Sequence, residues 1–291
     1  MGIGEITVRE TILVGAALAA LAWAQDTEKV TMPFSNPSGA HKLVVDALQG
    51  SVTVKGYQGQ EVIIEYTPGP GGGFNRGRRR PTEPPPAGMH RIGGNRDMDV
   101  TESDNTVTVK TGIFAPVSNV VIQTPVDTSL TVKTLSGRSI DIDNLSGEIE
   151  ANNMNGTVNI TNASGTVVAH SMNGNVTASL NRVPPDKMMS FSTFNGDVDV
   201  TLPGDSKATF KMRADNGDIF SDFDVKLEGQ SAPQVVEEKD KKGKTRRRAR
   251  IDGTQTGSVN GGGPEMQFIT FNGRIVIHKK QAPAPTPAPS R

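Results

Sequence analysis

Apolar and polar side chains alternate in short runs down most of this chain, and each run restarts at a glycine. Val158 and Ile160, Val176 and Ala178, Val198 and Val200, and Ile275 and Ile277 share one parity. Thr157 and Asn159, Asn175 and Thr177, Asp197 and Asp199, and Arg274 and Val276 take the other. A period of two is what a half-buried β-strand requires, because successive side chains leave opposite faces. The glycines are Gly147, Gly156, Gly165, Gly174, Gly196, Gly217 and Gly273, with Gly137 an offset first member. Ser-Gly and Asn-Gly alternate from Ser146-Gly147 to Asn173-Gly174, and the Asn-Gly glycines Gly156, Gly174, Gly196 and Gly217 follow one another at 18, 22 and 21 residues. The repeating unit is therefore two strands. Where later units lack Ser-Gly, Pro184-Pro185-Asp186 and Pro203-Gly204-Asp205 supply the turn, which carries the pattern to at least Phe220.

Glycine suits such corners because a sharp change of direction often needs positive φ, which glycine adopts freely and asparagine tolerates. Asn-Gly also marks two-residue hairpins, so parallel stacking and an antiparallel meander both fit the rhythm. Two residues before most of these glycines stands an apolar side chain, Leu135, Leu145, Met154, Met172, Phe194 or Phe271, expected as a second core plug; Ala163 and Asp215 depart. Met154 and Met172 are expected to fill a thin core. The expected fold is all-β: a single-domain β-solenoid, β-helix-like, with about two short strands per 18–22-residue coil and disordered loop insertions. A content of 34% hydrophobic and 4% aromatic residues with 32 Gly fits a thin core better than a compact globule.

Residues 12–24 form an apolar run that ends in Ala22-Trp23-Ala24. This reads as an export signal over 1–24 with an Ala-x-Ala cleavage site, too short for a mature membrane span. The repeat domain is expected over 26–280, with mobile insertions at 67–97 and 225–263 and a disordered Pro/Ala-rich tail at 281–291. Without cysteine there is neither a disulfide nor a lipidated N-terminal Cys, which points to a periplasmic or extracellular product with no transmembrane segment in the mature chain. With 31 basic and 31 acidic residues no global field selects nucleic acid. The densest basic runs, Arg78-Arg79-Arg80 and Arg246-Arg247-Arg248, are candidate anion-binding loops, read against plain solvated charge.

Two further stretches carry a resemblance. Gly50-Ser51-Val52-Thr53-Val54-Lys55-Gly56-Tyr57 with Val62-Ile63-Ile64-Glu65-Tyr66 resembles the opening of the bacterial putative-adhesin family, a β-strand-repeat domain of unknown function. Gly257-Ser258-Val259-Asn260-Gly261-Gly262-Gly263-Pro264-Glu265, then Phe271-Asn272-Gly273-Arg274-Ile275-Val276-Ile277, resembles its closing block. The resemblance implies an exported or envelope-associated β-solenoid-like domain with no established ligand and no catalytic residues to carry over.

Conventional catalytic motifs are absent, and His41, His90, His170 and His278 are scattered, so neither an enzyme nor a cofactor is expected. If the Asn-Gly strands superpose, the residues after each glycine form a column Thr157, Asn175, Asp197, Asp218, with Asp199 on the same face. Those three carboxylates are calcium candidates, weighed against exposed acids that keep the face soluble. Three functions compete: a non-enzymatic binding or scaffolding module for an envelope or extracellular polymer or protein; a polymer-forming structural solenoid whose sticky end is Ile275-Val276-Ile277, with self-association; and a calcium-dependent polysaccharide lyase with Arg274 as base.

Overall fold

A computed structural model describes residues 27–68, 98–112, 117–228, 234–239, 245–250 and 253–280. The expected signal at 1–24, most of the first insertion with Arg78, Arg79 and Arg80, and the tail at 281–291 lie outside these residues. Among the described residues all regular structure is β. The strands are β1 (Glu28–Pro33), β2 (Lys42–Tyr57), β3 (Glu61–Pro68), β4 (Met98–Ser103), β5 (Thr106–Thr111), β6 (Ser118–Pro125) and β7 (Ser129–Asp143). They continue with β8 (Ile149–Asn155), β9 (Thr157–Ala163), β10 (Val167–Asn173), β11 (Val176–Leu180), β12 (Met189–Asn195), β13 (Val198–Pro203), β14 (Ala208–Asn216), β15 (Ile219–Ser221) and β16 (Lys226–Leu227). Last come β17 (Gln234–Lys239), β18 (Thr245–Arg250), β19 (Gln255–Val259), β20 (Glu265–Asn272) and β21 (Ile275–Lys280).

The repeat strands pair in parallel, which decides between the two readings of Asn-Gly. One ladder runs β5, β2, β7, β8, β10, β12, β20, β14. The other runs β6, β2, β7, β9, β11, β13, β21, β15. Strands β2 and β7 serve both ladders because each passes through the corner unbroken, at Gly50 and Gly137, whereas later rungs break there into two strands. Antiparallel strands flank both ends of the stack: β4 on β5, β3 on β6 and β1 on β3 at one, and β19 on β14 with β16 on β19 at the other. The sheet is thus mixed.

Register puts like on like in the interior. Val52, Ile140, Val158, Val176, Val198 and Ile275 form one fully buried column, and alternate positions on each strand face outward. Aromatic mass gathers late in the stack, where Phe268 lies parallel to Phe191 at 5.6 Å and edge-on to Phe210 at 5.3 Å. At the corners, backbone meets backbone. A Cβ on Gly196, whose φ is +154°, would lie 2.4 Å from the Gly174 carbonyl oxygen, and one on Gly165 would lie 1.8 Å from that of Gly147. Neither distance is open to a side chain, so the rungs stack tightly only with glycine there.

Three expectations need correction. The stack does not follow sequence order: β20 and β21 enter between the β12/β13 rung and the β14/β15 rung, so Asn195 is followed by Asn272 and only then by Asn216. At the other end β2 sits inside the β5/β6 rung. The Ile275–Ile277 strand is consequently interior and not a sticky end. Second, the region 225–263 is not loop throughout; it holds β16, the β17–β18 hairpin and β19. In the backbone register of that hairpin Glu237 pairs with Arg247 and Glu238 with Arg246. Third, the supposed second plugs split by corner: Leu145 is buried, but Leu135, Met154, Met172, Phe194 and Phe271 are 40–48% exposed. Before the Asn-Gly corners, and before Ser136-Gly137 where Thr134 is buried, the inward place belongs to the preceding residue and the apolar side chain falls on the outer parity.

Candidate functional site

The exposed apolar residues stand on successive rungs at one position. Register on either side of them, Thr134 to Asn153, Asn153 to Ser171, Ser171 to Thr193, Thr193 to Thr270, places Leu135, Met154, Met172, Phe194 and Phe271 in one column. Leu48, half-buried between the paired positions Ala47/Thr134 and Gln49/Ser136, extends it by one rung. Phe194 and Phe271 stack with ring centroids 4.7 Å apart and planes 4° off parallel. The rings cover each other's faces and present edges to solvent. On the last rung the column ends in a charge, Asp215, whose carboxylate accepts a 2.9 Å hydrogen bond from Arg213 Nε.

Two polar columns hold this one in place. Just beneath it, Ser171 Oγ donates to the Gly156 carbonyl, Thr193 Oγ1 to that of Gly174 and Thr270 Oγ1 to that of Gly196, at 2.7–2.9 Å. These buried hydroxyls satisfy the corner carbonyls and so take the place an apolar plug would have had. Beside the column runs an asparagine ladder. Asn173 Nδ2 donates to Asn155 Oδ1, Asn195 to Asn173, Asn272 to Asn195 and Asn216 to Asn272, at 2.7–3.0 Å, and Asn155 closes the series on the Leu135 carbonyl. Every amide points the same way along the stack, which locks the rungs in register.

On the outer face of the other ladder the structure does not bring the three calcium candidates together. Arg274 stands between Asp197 and Asp218, because β21 lies between β13 and β15. Its guanidinium is 3.1 Å from Asp197 Oδ2 and its backbone N–H donates to Oδ1 at 2.8 Å. That N–H first, and then the guanidinium, hold the Asp197 carboxyl below the usual carboxylate range. Asp199 lies 3.8 Å from His278 Nε2, while His278 Nδ1 lies 3.1 Å from Asp222, whose carboxyl is lowered by that contact and by the Lys279 N–H. Asp218 remains on the far side of Arg274. The Arg274 side chain is thus engaged with Asp197. Among the described residues no group of three His, Cys, Asp or Glu is placed to hold a metal ion.

Of the predicted turn glycines, Gly137 lies inside β7 while the others stand at strand breaks. His170 meets Ser192 on the outer face, His41 is buried against the Phe34 ring at 4.3 Å, and His90 lies outside the described residues. Arg246, Arg247 and Arg248 lie on β18. The apolar column is what the sequence reading missed. Its signal was the triplet of a hydroxyl or amide residue, an apolar residue and Asn before Gly, repeated at Gly156, Gly174, Gly196 and Gly273.

Residues 29–254, more than half of the chain, match the family model described as Toastrack DUF4097. The chain belongs to the Toastrack DUF4097 family. This agrees with the resemblance read from residues 50–66, although the match ends before the closing block at 257–277. Among solved structures, this Toastrack chain is similar to a putative cell adhesion protein from Clostridium sporogenes at 12% identity, over 87% of this chain and 100% of that one, with a TM-score of 0.44. It is also similar to a putative adhesin from Bacteroides fragilis at 12% identity, over 88% and 98%, with a TM-score of 0.34. No curated protein matches it. Among the described residues no helix is long and apolar enough to cross a membrane, which leaves strand-built spans unaddressed.

Proposed function

We propose that this chain is an exported, non-enzymatic binding or scaffolding module of the bacterial envelope or cell exterior, wound as a two-strand β-solenoid. Its export signal is residues 1–24 and its folded domain spans 26–280. The observation that carries the reading is the column Leu135–Phe271. Large apolar side chains held at solvent on successive rungs contribute little to the core, and contiguous patches of that kind mark interaction surfaces. The asparagine ladder supplies amide groups along its edge, giving a periodic face of apolar and polar strips.

The test is binding of residues 25–291 to a panel of envelope polymers and envelope proteins at low and moderate salt. It is run beside Phe194→Ser/Phe271→Ser and beside a deletion of 67–97. Binding that survives salt and is lost with the two phenylalanines supports the column. Salt-sensitive binding lost with the deletion moves the site to the basic insertion. Failure of all forms to bind removes the binding reading. The polymer-forming alternative is weakened by the short edges at the C-terminal end, β15 with three residues and β16 with two, which offer little template for end-to-end growth.

A further inference from the structure

We propose that the partner of the apolar column is a second copy of this chain, packed face to face and antiparallel across a two-fold axis that passes between the Met154 and Met172 rungs. This rests on the reading of the column as an interaction surface and names its occupant.

The pitch of the column favours a second copy. Rungs recur at roughly 4.8 Å, so the knobs of the column recur at that spacing too. A surface that fits knob by knob over several rungs must share that pitch, and another copy of the column does so by construction. Side-chain size along the column favours the antiparallel arrangement. Reversing one column against the other sets Leu48 against Phe271 of the second copy, Leu135 against Phe194, and Met154 against Met172. Each small side chain then meets a large one, and the two flexible methionines meet at the centre, where they adapt to fill gaps. A parallel arrangement would instead oppose Phe to Phe and Leu to Leu, leaving the gap uneven.

Charge separates the two arrangements as well. In the parallel one Asp215 would face Asp215 of the other copy, and like charges directly opposed are destabilising. In the antiparallel one Asp215 passes beyond Leu48 and keeps its bond to Arg213. The fit is isologous, as a closed dimer requires. Area sets the strength. The stripe is on the order of a few hundred Å², below the roughly 800 Å² per partner of a standard interface, which places the dimer in the small, transient class.

Sedimentation equilibrium of residues 25–291 over a wide concentration range is the first measurement. The expected result is a mass rising toward the dimer with little dependence on salt, and at least about tenfold weaker association in Phe194→Ser/Phe271→Ser, with the melting temperature lowered by only a few degrees and the transition still cooperative. A monomer at every concentration, or a dimer indifferent to that pair, overturns the proposal. Because the chain has no cysteine, pairing can be read by cross-linking. A mixture of Leu135→Cys and Phe194→Cys chains should form the mixed disulfide in preference to either homodisulfide; preferential Leu135→Cys homodisulfide overturns the antiparallel arrangement. If association fails while a polymer or another protein still binds through Phe194 and Phe271, the second-copy proposal falls and the binding reading stands.

Discussion

The outer faces of the two ladders are made by the same rungs and solve the same problem differently. A stack multiplies whatever side chain it places at a position, because each residue meets its counterpart one rung away. On the first face the multiplied residues are Leu, Met, Phe and Asn, which tolerate their own kind: apolar groups pack, and an amide both donates and accepts. On the second face the multiplied residues turn acidic at Asp197, Asp199 and Asp218, which do not tolerate their own kind. There the fold interposes β21, whose Arg274 and His278 meet Asp197 and Asp199. Stacking is stable where a side chain complements itself, and needs a foreign rung where it does not.

Interior and outer face differ most within a single strand. Phe268 and Phe271 are three residues apart on β20 and face opposite sides. Phe268→Ala empties a fully buried place between Phe191 and Phe210 and should cost about 3–5 kcal/mol by denaturant melt. Phe271→Ala should cost about 1 kcal/mol or less while weakening association. A large cost at Phe271 would make the column structural and remove its reading as an interaction face.

Next in size is the corner itself. Gly196→Ala should cost about 2–3 kcal/mol, since the added methyl meets the Gly174 carbonyl at a φ that L-residues rarely adopt. Asn173→Ala removes one donated and one accepted amide bond at a partly wet site and should cost about 1 kcal/mol, read by urea midpoint.

The smallest effect belongs to the acidic face. Asp197→Asn should cost about 0.5 kcal/mol, because the ion pair is screened by water. Its sign with pH follows from the lowered carboxyl. The stabilisation is complete above the unfolded-state pKa of about 4 and fades as pH falls through the lower folded value, so wild type and variant should converge in acid. Millimolar calcium should leave the melting temperature of both unchanged, as the charge of Asp197 is already met by Arg274. A calcium-dependent rise lost on Asp197→Asn would restore the metal reading.

Strand phase and the Asn-Gly rhythm were legible because a period of two and a glycine corner are local facts. Asn155, Asn173 and Asn195 stack at the intervals read from the sequence. What was not legible is long-range. Nothing local says that Asn272 precedes Asn216 in the stack; the observed order sets Phe271 on Phe194 and Phe268 on Phe191, at positions where β14 carries Asp215 and Met212. The exposed column was misread for a different reason. Counting back from glycine gives the wrong parity wherever a buried hydroxyl, as at Ser171 or Thr193, occupies the inward place before the corner.

The out-of-order rung also sets a clock. Among the described residues the ladder partners of β14 and β15 all lie after residue 254, so residues 208–221 emerge from synthesis or translocation ahead of the strands at 255–280 that pair with them. The β2 rung likewise waits for β5, β6 and β7. Closure at both ends therefore depends on strands that arrive later, and β20 and β21 complete the stack only once they are on the same side of any crossed membrane as the strands they join.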